Sequence, residues 1–498
     1  MPKFSFKTIA SIIAIFLVIE ILSFFSFSHP LLNQSVLSVF AVAVLAISFY
    51  RLEYGLLAVL AELFIGSMGH LFYFDLGGHI IGLRIVLWLA VMSAFVIKTV
   101  YQIIKKQADG SYWKSLRNFS GRNYFLVLSA FILLAVINGV VRGHSLSLIF
   151  SDFNAWIYFS LLGPIIAVYG RADQKKLERL YTLFLASAIW LSLKTLILLF
   201  IFTHNSNLAP DIYLWLRKTL VGEMTPTKTG WPRIFIQGQI FSAIAFLCVF
   251  WLGQAKFKLK DFFGRYNIIM LSGAALFLSS VLISFSRSFW VALLGSLFIS
   301  LLLIWRLTSF KKVLVSIVWL IAAGLVSFLM MYLVVAWPYF QTQSGNFGSD
   351  FLERVSNGNE AALASRWSLL PVLAGEIGKE PFFGQGYGAT VTYFSRDPRI
   401  LQNNPSGEYT TYAFEWGYLD LWLKLGLLGL LVYLWLLFRL LAAGIKKGLA
   451  DNDYLLFGLT AGLLFLMITN AFTPYLNHPL GIGFLLLASC LIWPNKVY

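Results

Sequence analysis

SFSRSFW, residues 284–290, sets one arginine, Arg287, between two apolar runs that each look long enough to cross a membrane. A spanning helix needs about 20 mostly apolar residues, and an arginine near lipid costs roughly 2.5–3.5 kcal/mol on insertion scales. Such runs recur along the whole chain. Its 498 residues are 59% hydrophobic and 12% charged, where a soluble domain carries roughly 25% charged residues. That leaves too little polar surface for water, so the reading is an all-α polytopic membrane protein.

Candidate spans fall near 9–27, 35–50, 54–68, 79–98, 123–141, 153–169, 180–203, 234–253, 266–284, 288–305, 313–337, 416–441, 454–472 and 478–493. The second and third are short enough for a re-entrant pair, so about 12–14 helices are expected in one transmembrane domain, residues 1–498. Lys3 and Lys7 precede the first run without a small-residue cleavage site, which favours a helix over a signal peptide. The positive-inside rule then orders the loops. With the N-terminus in the cytoplasm, every basic cluster lands on one side, from Lys105, Lys114, Arg117 and Arg122 to Arg439, Lys446 and Lys447. Both termini are expected to be cytoplasmic. The net charge of +16 is thereby a topology signal and implies no nucleic-acid partner. Cys248 and Cys490 lie inside apolar runs and read as buried hydrophobes.

The same assignment puts the unusual chemistry outside. All six histidines fall at outer helix ends or outer loops. Two outer loops are long, 204–233 and 338–415. The first holds LAPDIYLWLRKTLVG, suited to a helix in the membrane interface. The second, between the helix ending near 337 and the one starting near 416, is Gly-rich but contains WSLLPVLAGEI and PFFGQGYG. Those apolar stretches argue for a partly helical, folded extracytoplasmic loop capping the active site.

Arg84, Arg233, Arg287 and Arg366 all sit in this outer layer, where the positive-inside rule does not account for them. Interfacial snorkelling, or ion pairs with Glu53, Glu62 or Asp420, would explain each singly. Several together point elsewhere. A guanidinium keeps its charge at any pH and donates two parallel hydrogen bonds, which suits a diphosphate. At an outer membrane face, a diphosphate suggests polyprenyl-diphosphate-linked sugars as donors, with no cofactor or metal required. No phosphate-binding P-loop occurs and the histidine spacing offers no metal site. GQGYGA, 384–389, lacks the strand–helix context of a dinucleotide fingerprint and reads as a structural turn.

Three ordered stretches carry a resemblance: SFSRSFWVALLGSLFISLLL at 284–303, ASRWSLLPVLAGEIGKEPFFGQGYGA at 364–389 and EWGYLDLWLKLGLLGLLVYLWLLF at 415–438. Together they resemble the O-antigen ligase and polymerase superfamily of membrane glycosyltransferases, over about residues 230–440. The resemblance implies a helical bundle whose cavity opens sideways to lipid for the donor and outward for the acceptor. It implies that Arg287 engages the donor diphosphate, that Arg233 and Arg366 assist it, and that Gly384, Gly386 and Gly388 form the family's glycine turn.

One position departs from the family. Counting back from Gly426, the ligases' histidine falls at Glu415 and their asparagine at Trp416. A glutamate can serve as general base to the acceptor hydroxyl; it is also favoured at a helix N-terminus by the macrodipole. The loss of the histidine favours the polymerase branch over the ligases. The expected partners are a polyprenyl-diphosphate-linked oligosaccharide donor, a glycan acceptor, the lipid bilayer of the plasma (inner) membrane and a chain-length regulator. The competing class is a flippase for the same lipids, against which stands the absence of a visible repeat.

Overall fold

A computed structural model describes residues 5–76, 79–105, 112–170, 173–204, 206–256, 264–307, 310–338, 347–356, 361–395 and 398–493. Among them, ten helices are long and apolar enough to cross a membrane, and three shorter apolar ones accompany them. The protein is an all-α polytopic membrane protein. The helices Phe6–Ser26, Pro30–Tyr50 and Phe310–Ala336 leave Ile15, Val18, Val39, Val42, Ile321 and Leu325 exposed. In a bilayer those side chains face lipid, which is as apolar as they are. The innermost helices are short: Gln239–Lys256, Tyr454–Asn470 and Pro479–Ile492 bury nearly every side chain.

Several expected boundaries move. Pro30–Tyr50 is a full-length helix and only its successor, Leu52–Ile65, is short. The run begun at 79 starts with a strand, His79–Gly82, before the helix Leu83–Ile104. The run 153–169 is part of a longer passage, Leu146–Trp156 and Leu162–Tyr169 joined by a 3-10 turn at Ile157–Leu161. Among the described residues, three two-stranded antiparallel hairpins lie between helices: Tyr73–Leu76 with His79–Gly82, Glu223–Pro226 with Pro232–Phe235, and Val391–Phe394 with Glu408–Thr411.

Many polar groups inside the bundle find partners within the protein, since lipid offers none. Hydroxyls of Ser48, Thr195, Thr460 and Ser489 donate to carbonyls four residues back. Buried charges are paired: Lys194 with Glu20 at 2.7 Å, and Arg84 with Glu62 at 2.9 Å. Arg84 is therefore spent on structure, as the ion-pair explanation allowed.

Among the described residues, the 338–415 segment contributes three helices, Phe347–Ser356, Ala361–Lys379 and Pro398–Asn403, and one hairpin. Leu369, Leu373 and Ile377 pack with Ala389, Val391 and Phe414 into a small second core that also takes in Leu423. The helix Ala209–Lys218 forms where LAPDIYLWLRKTLVG predicts it, with Trp215 and Leu216 buried.

Candidate active site

The turn between Arg265–Ile283 and Arg287–Leu307 is built by its serines and one phenylalanine. Ser284 Oγ donates to the Val281 carbonyl at 2.6 Å and accepts from the Ser286 amide at 3.2 Å. Phe285 takes a φ of +49° and is fully buried against Phe347 and Trp290. The main chain reverses there, and Arg287 becomes the first residue of the next helix.

Two other arginines meet this turn. Arg233, on the strand Pro232–Phe235, donates Nε to the Ser284 carbonyl at 3.1 Å. Arg354, near the end of Phe347–Ser356, donates Nε toward the Phe285 carbonyl at 3.4 Å. Arg287 donates its own Nε to the Arg354 main-chain carbonyl at 2.6 Å. An Nε anchor fixes the guanidinium plane, and with it the directions of the four further N–H groups that each guanidinium carries. A cleft of about 190 Å³ opens beside them, lined by Thr225, Thr227, Lys228, Arg233, Phe285, Asp350, Glu353 and Arg354.

Arg366 is placed differently from the expectation that it joins Arg233 and Arg287. It forms an ion pair with Glu415, and its carbonyl accepts from Trp416 Nε1 at 3.1 Å. Trp367 and Trp416, each next in sequence to a member of the pair, pack edge to face 5.6 Å apart. Arg366 does not line the cleft, and neither does Arg287, which is tied to it through the Arg354 carbonyl. Side chains of Arg366 and Glu415 are 35% and 53% exposed, so the pair is open to a substrate. Thr473 Oγ1 donates to Ser288 at 3.2 Å and Phe472 packs on Trp416 at 6.2 Å. The 472–473 corner thus links the two groups.

The glycine turn enters the bundle. Gly384, Gly386 and Gly388 have φ of +72°, +87° and +78°. A Cβ on Gly386 would lie 2.3 Å from the Gly139 amide nitrogen, and one on Gly384 2.5 Å from that of Gly426. Gly426 itself breaks the helix Gly417–Ala450, with φ of +73° and ψ of 172°. The break frees carbonyls, and the turn takes them: Gln385 and Gly386 donate to Leu423 and Lys424, while Leu427 and Leu428 donate to Pro381 and Phe382.

Beneath the turn lies a buried charge cluster that sequence reasoning missed. Lys424 Nζ lies 2.7 Å from both Asp152 Oδ1 and Asp420 Oδ1, and donates to the Tyr412 carbonyl at 2.8 Å. Asp152 Oδ2 accepts from the Gly388 amide at 2.8 Å, and Asp420 Oδ2 from Asn477 at 2.5 Å. The signal was available in DLWLKLGLLG, since a lysine inside an apolar run needs a counter-charge. Its partner on a distant helix was not.

Residues 272–434, about a third of the chain, match the family model of O-antigen ligase. That range holds Arg287, Arg354, Arg366, the three glycines, Glu415 and Lys424, and leaves out Arg233 and Asp152. A search of curated proteins found no match. The family match supports glycosyl transfer of the ligase and polymerase type, between a lipid-linked glycan donor and an acceptor in a membrane. Residues 272–434 are thus similar to the O-antigen ligase family, in line with the resemblance to the O-antigen ligase and polymerase superfamily.

Proposed function

We propose that this protein polymerises lipid-linked repeat units of a surface polysaccharide, taking the growing glycan from a polyprenyl-diphosphate donor at the outer face of the plasma membrane. The observation that carries the reading is the gathering of Arg233 and Arg287 at one helix turn, each anchored through Nε to main chain. A preorganised guanidinium stabilises the charge that develops on a diphosphate as it departs, without reorganising at the moment of reaction.

The acceptor sugar hydroxyl attacks the anomeric carbon of the donor. The C–O bond to the diphosphate breaks, its electron pair leaves with the phosphate oxygen, and configuration inverts. Glu415 takes the hydroxyl proton. Arg366, paired with Glu415, orients that carboxylate at rest and assists the donor charge in transfer. Trp367 and Trp416, packed beside the pair, offer aromatic faces to a sugar ring.

The test uses the purified protein in lipid, with the polyprenyl-diphosphate oligosaccharide as sole sugar substrate and a chelator present. A ladder spaced by one repeat unit is the expected product, and Arg287→Ala is expected to abolish it while still inserting and folding. Turnover by that variant would remove Arg287 from the mechanism. The family match to O-antigen ligase favours a second reading, transfer to a lipid core or protein. Donor unchanged until such an acceptor is added would select it; donor moved across the bilayer but never consumed would mean a flippase.

A further inference from the structure

A second cleft lies at the far end of the helix that meets the glycine turn. Gly386 packs against Gly139, near the end of Arg122–Val141. Arg122 begins that helix, about 26 Å away along its axis, so the two ends reach opposite membrane faces. The distribution of basic residues assigns the Arg122 end to the cytoplasmic one. The cleft there has a volume of about 490 Å³, within the roughly 300–1,000 Å³ of ligand sites. Trp113 and Leu116 come from the short helix Tyr112–Arg117, Leu126 from Arg122–Val141 and Leu162 from Leu162–Tyr169. Its charged lining residues are Arg117 and Arg122, and none is acidic. No Asp or Glu occurs between residues 110 and 151.

The short helix is held in place. The Tyr112 amide donates to Gln102 Oε1 at 3.1 Å and its ring stacks on Phe95, which attaches it to Leu83–Ile104. Arg122 Nη1 donates to the Arg117 carbonyl at 3.1 Å, and its Nε to Asn123 Oδ1 at 3.4 Å. That guanidinium is thereby fixed where the spanning helix begins. Leu126, Ser129 and Leu133 follow Arg122 at intervals of three and four residues, hence on one face. Leu126 and Leu133 are both exposed. One helix face thus runs from a cation into open apolar surface.

We propose that this cleft binds an anionic glycerophospholipid of the cytoplasmic leaflet, with its phosphate on Arg117 and Arg122 and an acyl chain along Leu126, Ser129 and Leu133. Charge and apolar face together decide the class. Basic pockets between membrane helices hold anionic headgroups. A soluble phosphate would gain nothing from the apolar walls, and a zwitterionic headgroup would bring its own cation against two guanidiniums. Simple snorkelling toward headgroups needs neither a cleft nor a second arginine. The proposal is independent of the donor reading, since this cleft and the outer loop lie at opposite ends of one helix.

Native mass spectrometry of the full chain in a neutral detergent, with phosphatidylglycerol or phosphatidylcholine added, provides the test. Wild type is expected to bind phosphatidylglycerol about 10- to 30-fold more tightly, and Arg117→Gln and Arg122→Gln should each lose about five-fold. Ser129→Trp, which fills the cleft but keeps both cations, should also weaken binding. Lys446→Gln, a basic residue that does not line the cleft, should bind as wild type does. Glycerol phosphate, the headgroup without chains, should not compete. Size-exclusion profiles check that each variant is folded; if Arg122→Gln is not, the Arg117→Gln and Ser129→Trp results decide. Equal binding of the two lipids, wild-type binding by folded Arg117→Gln, or equal weakening by Lys446→Gln would overturn the site. Competition by glycerol phosphate would overturn the lipid as its occupant in favour of a soluble phosphate ester.

Discussion

Phe285 and Arg287 show how two neighbouring residues divide the work of one turn. The left-handed φ of Phe285 is uncommon for a bulky side chain and is held by burying the ring among Phe347 and Trp290. That burial keeps Arg287 at a helix start with its Nε on a fixed carbonyl. Glu415 and Arg366 are the more open case, a pair whose side chains are both partly exposed. If Glu415 takes the proton, Glu415→Gln should lower turnover about 10²- to 10⁴-fold with donor binding intact, measured by product formation beside lipid binding. The charge swap Arg366→Glu with Glu415→Arg should restore the pair and the fold but not turnover. Recovery of activity in the swap would show that the pair matters only as a strut.

At the scale of elements, the broken helix Gly417–Ala450 and the glycine turn explain each other. A straight helix of 34 residues would run about 51 Å, well beyond a hydrocarbon core of about 30 Å. Gly426 interrupts it, and the turn at 384–388 donates to the carbonyls exposed by the break. Gly386→Ala would push a methyl into main-chain atoms of Gly139 and Ala135 at a positive φ, with no flexible side chain to yield. It should fail to give monodisperse protein in detergent. Gly375→Ala, in a loop helix with open space around it, should be neutral or stabilising by about 0.5–1 kcal/mol; size-exclusion and thermal melts distinguish the two. Lys424 ties the same break to the Leu146–Trp156 helix. Lys424→Met leaves Asp152 and Asp420 buried without their cation and should cost roughly 3–5 kcal/mol. Adding Asp152→Asn and Asp420→Asn should recover much of that loss. A Lys424→Met melt equal to wild type would show that water reaches the cluster.

For the whole molecule, the distribution of basic residues predicts that the 338–415 segment and the 439–447 end of the helix Gly417–Ala450 face opposite sides of the membrane. Cys248 and Cys490 are buried and free, so the native background should react weakly with thiol reagents. A membrane-impermeant maleimide applied to intact cells is expected to label Ser406→Cys and to leave Lys446→Cys unlabelled until the membrane is opened. Labelling of Lys446→Cys from outside would invert the topology and move the proposed site to the cytoplasm. Activity is expected to persist with a chelator present, because guanidinium charge meets the leaving group; loss on chelation, restored by a divalent cation, would refute that.

Much of this protein was legible along the chain because lipid imposes a local rule. Each spanning run must be apolar over about 20 residues and satisfy its own backbone, so helix positions could be read window by window. The Ser-Arg turn, the loop helix around Arg366 and the glycine turn were legible too, since each is set by a few adjacent residues. The sequence could not say which arginines share a cleft. Arg354 shares a cleft with Arg233, and its carbonyl holds Arg287, because an aromatic-faced helix packs on Phe285 and Trp290, while Arg366 is drawn to Glu415 by a separate small core. Nor could it pair Lys424 with Asp152, 272 residues away. Charges buried in a bilayer protein find partners by helix packing, and packing is a property of the assembled bundle rather than of any window within it.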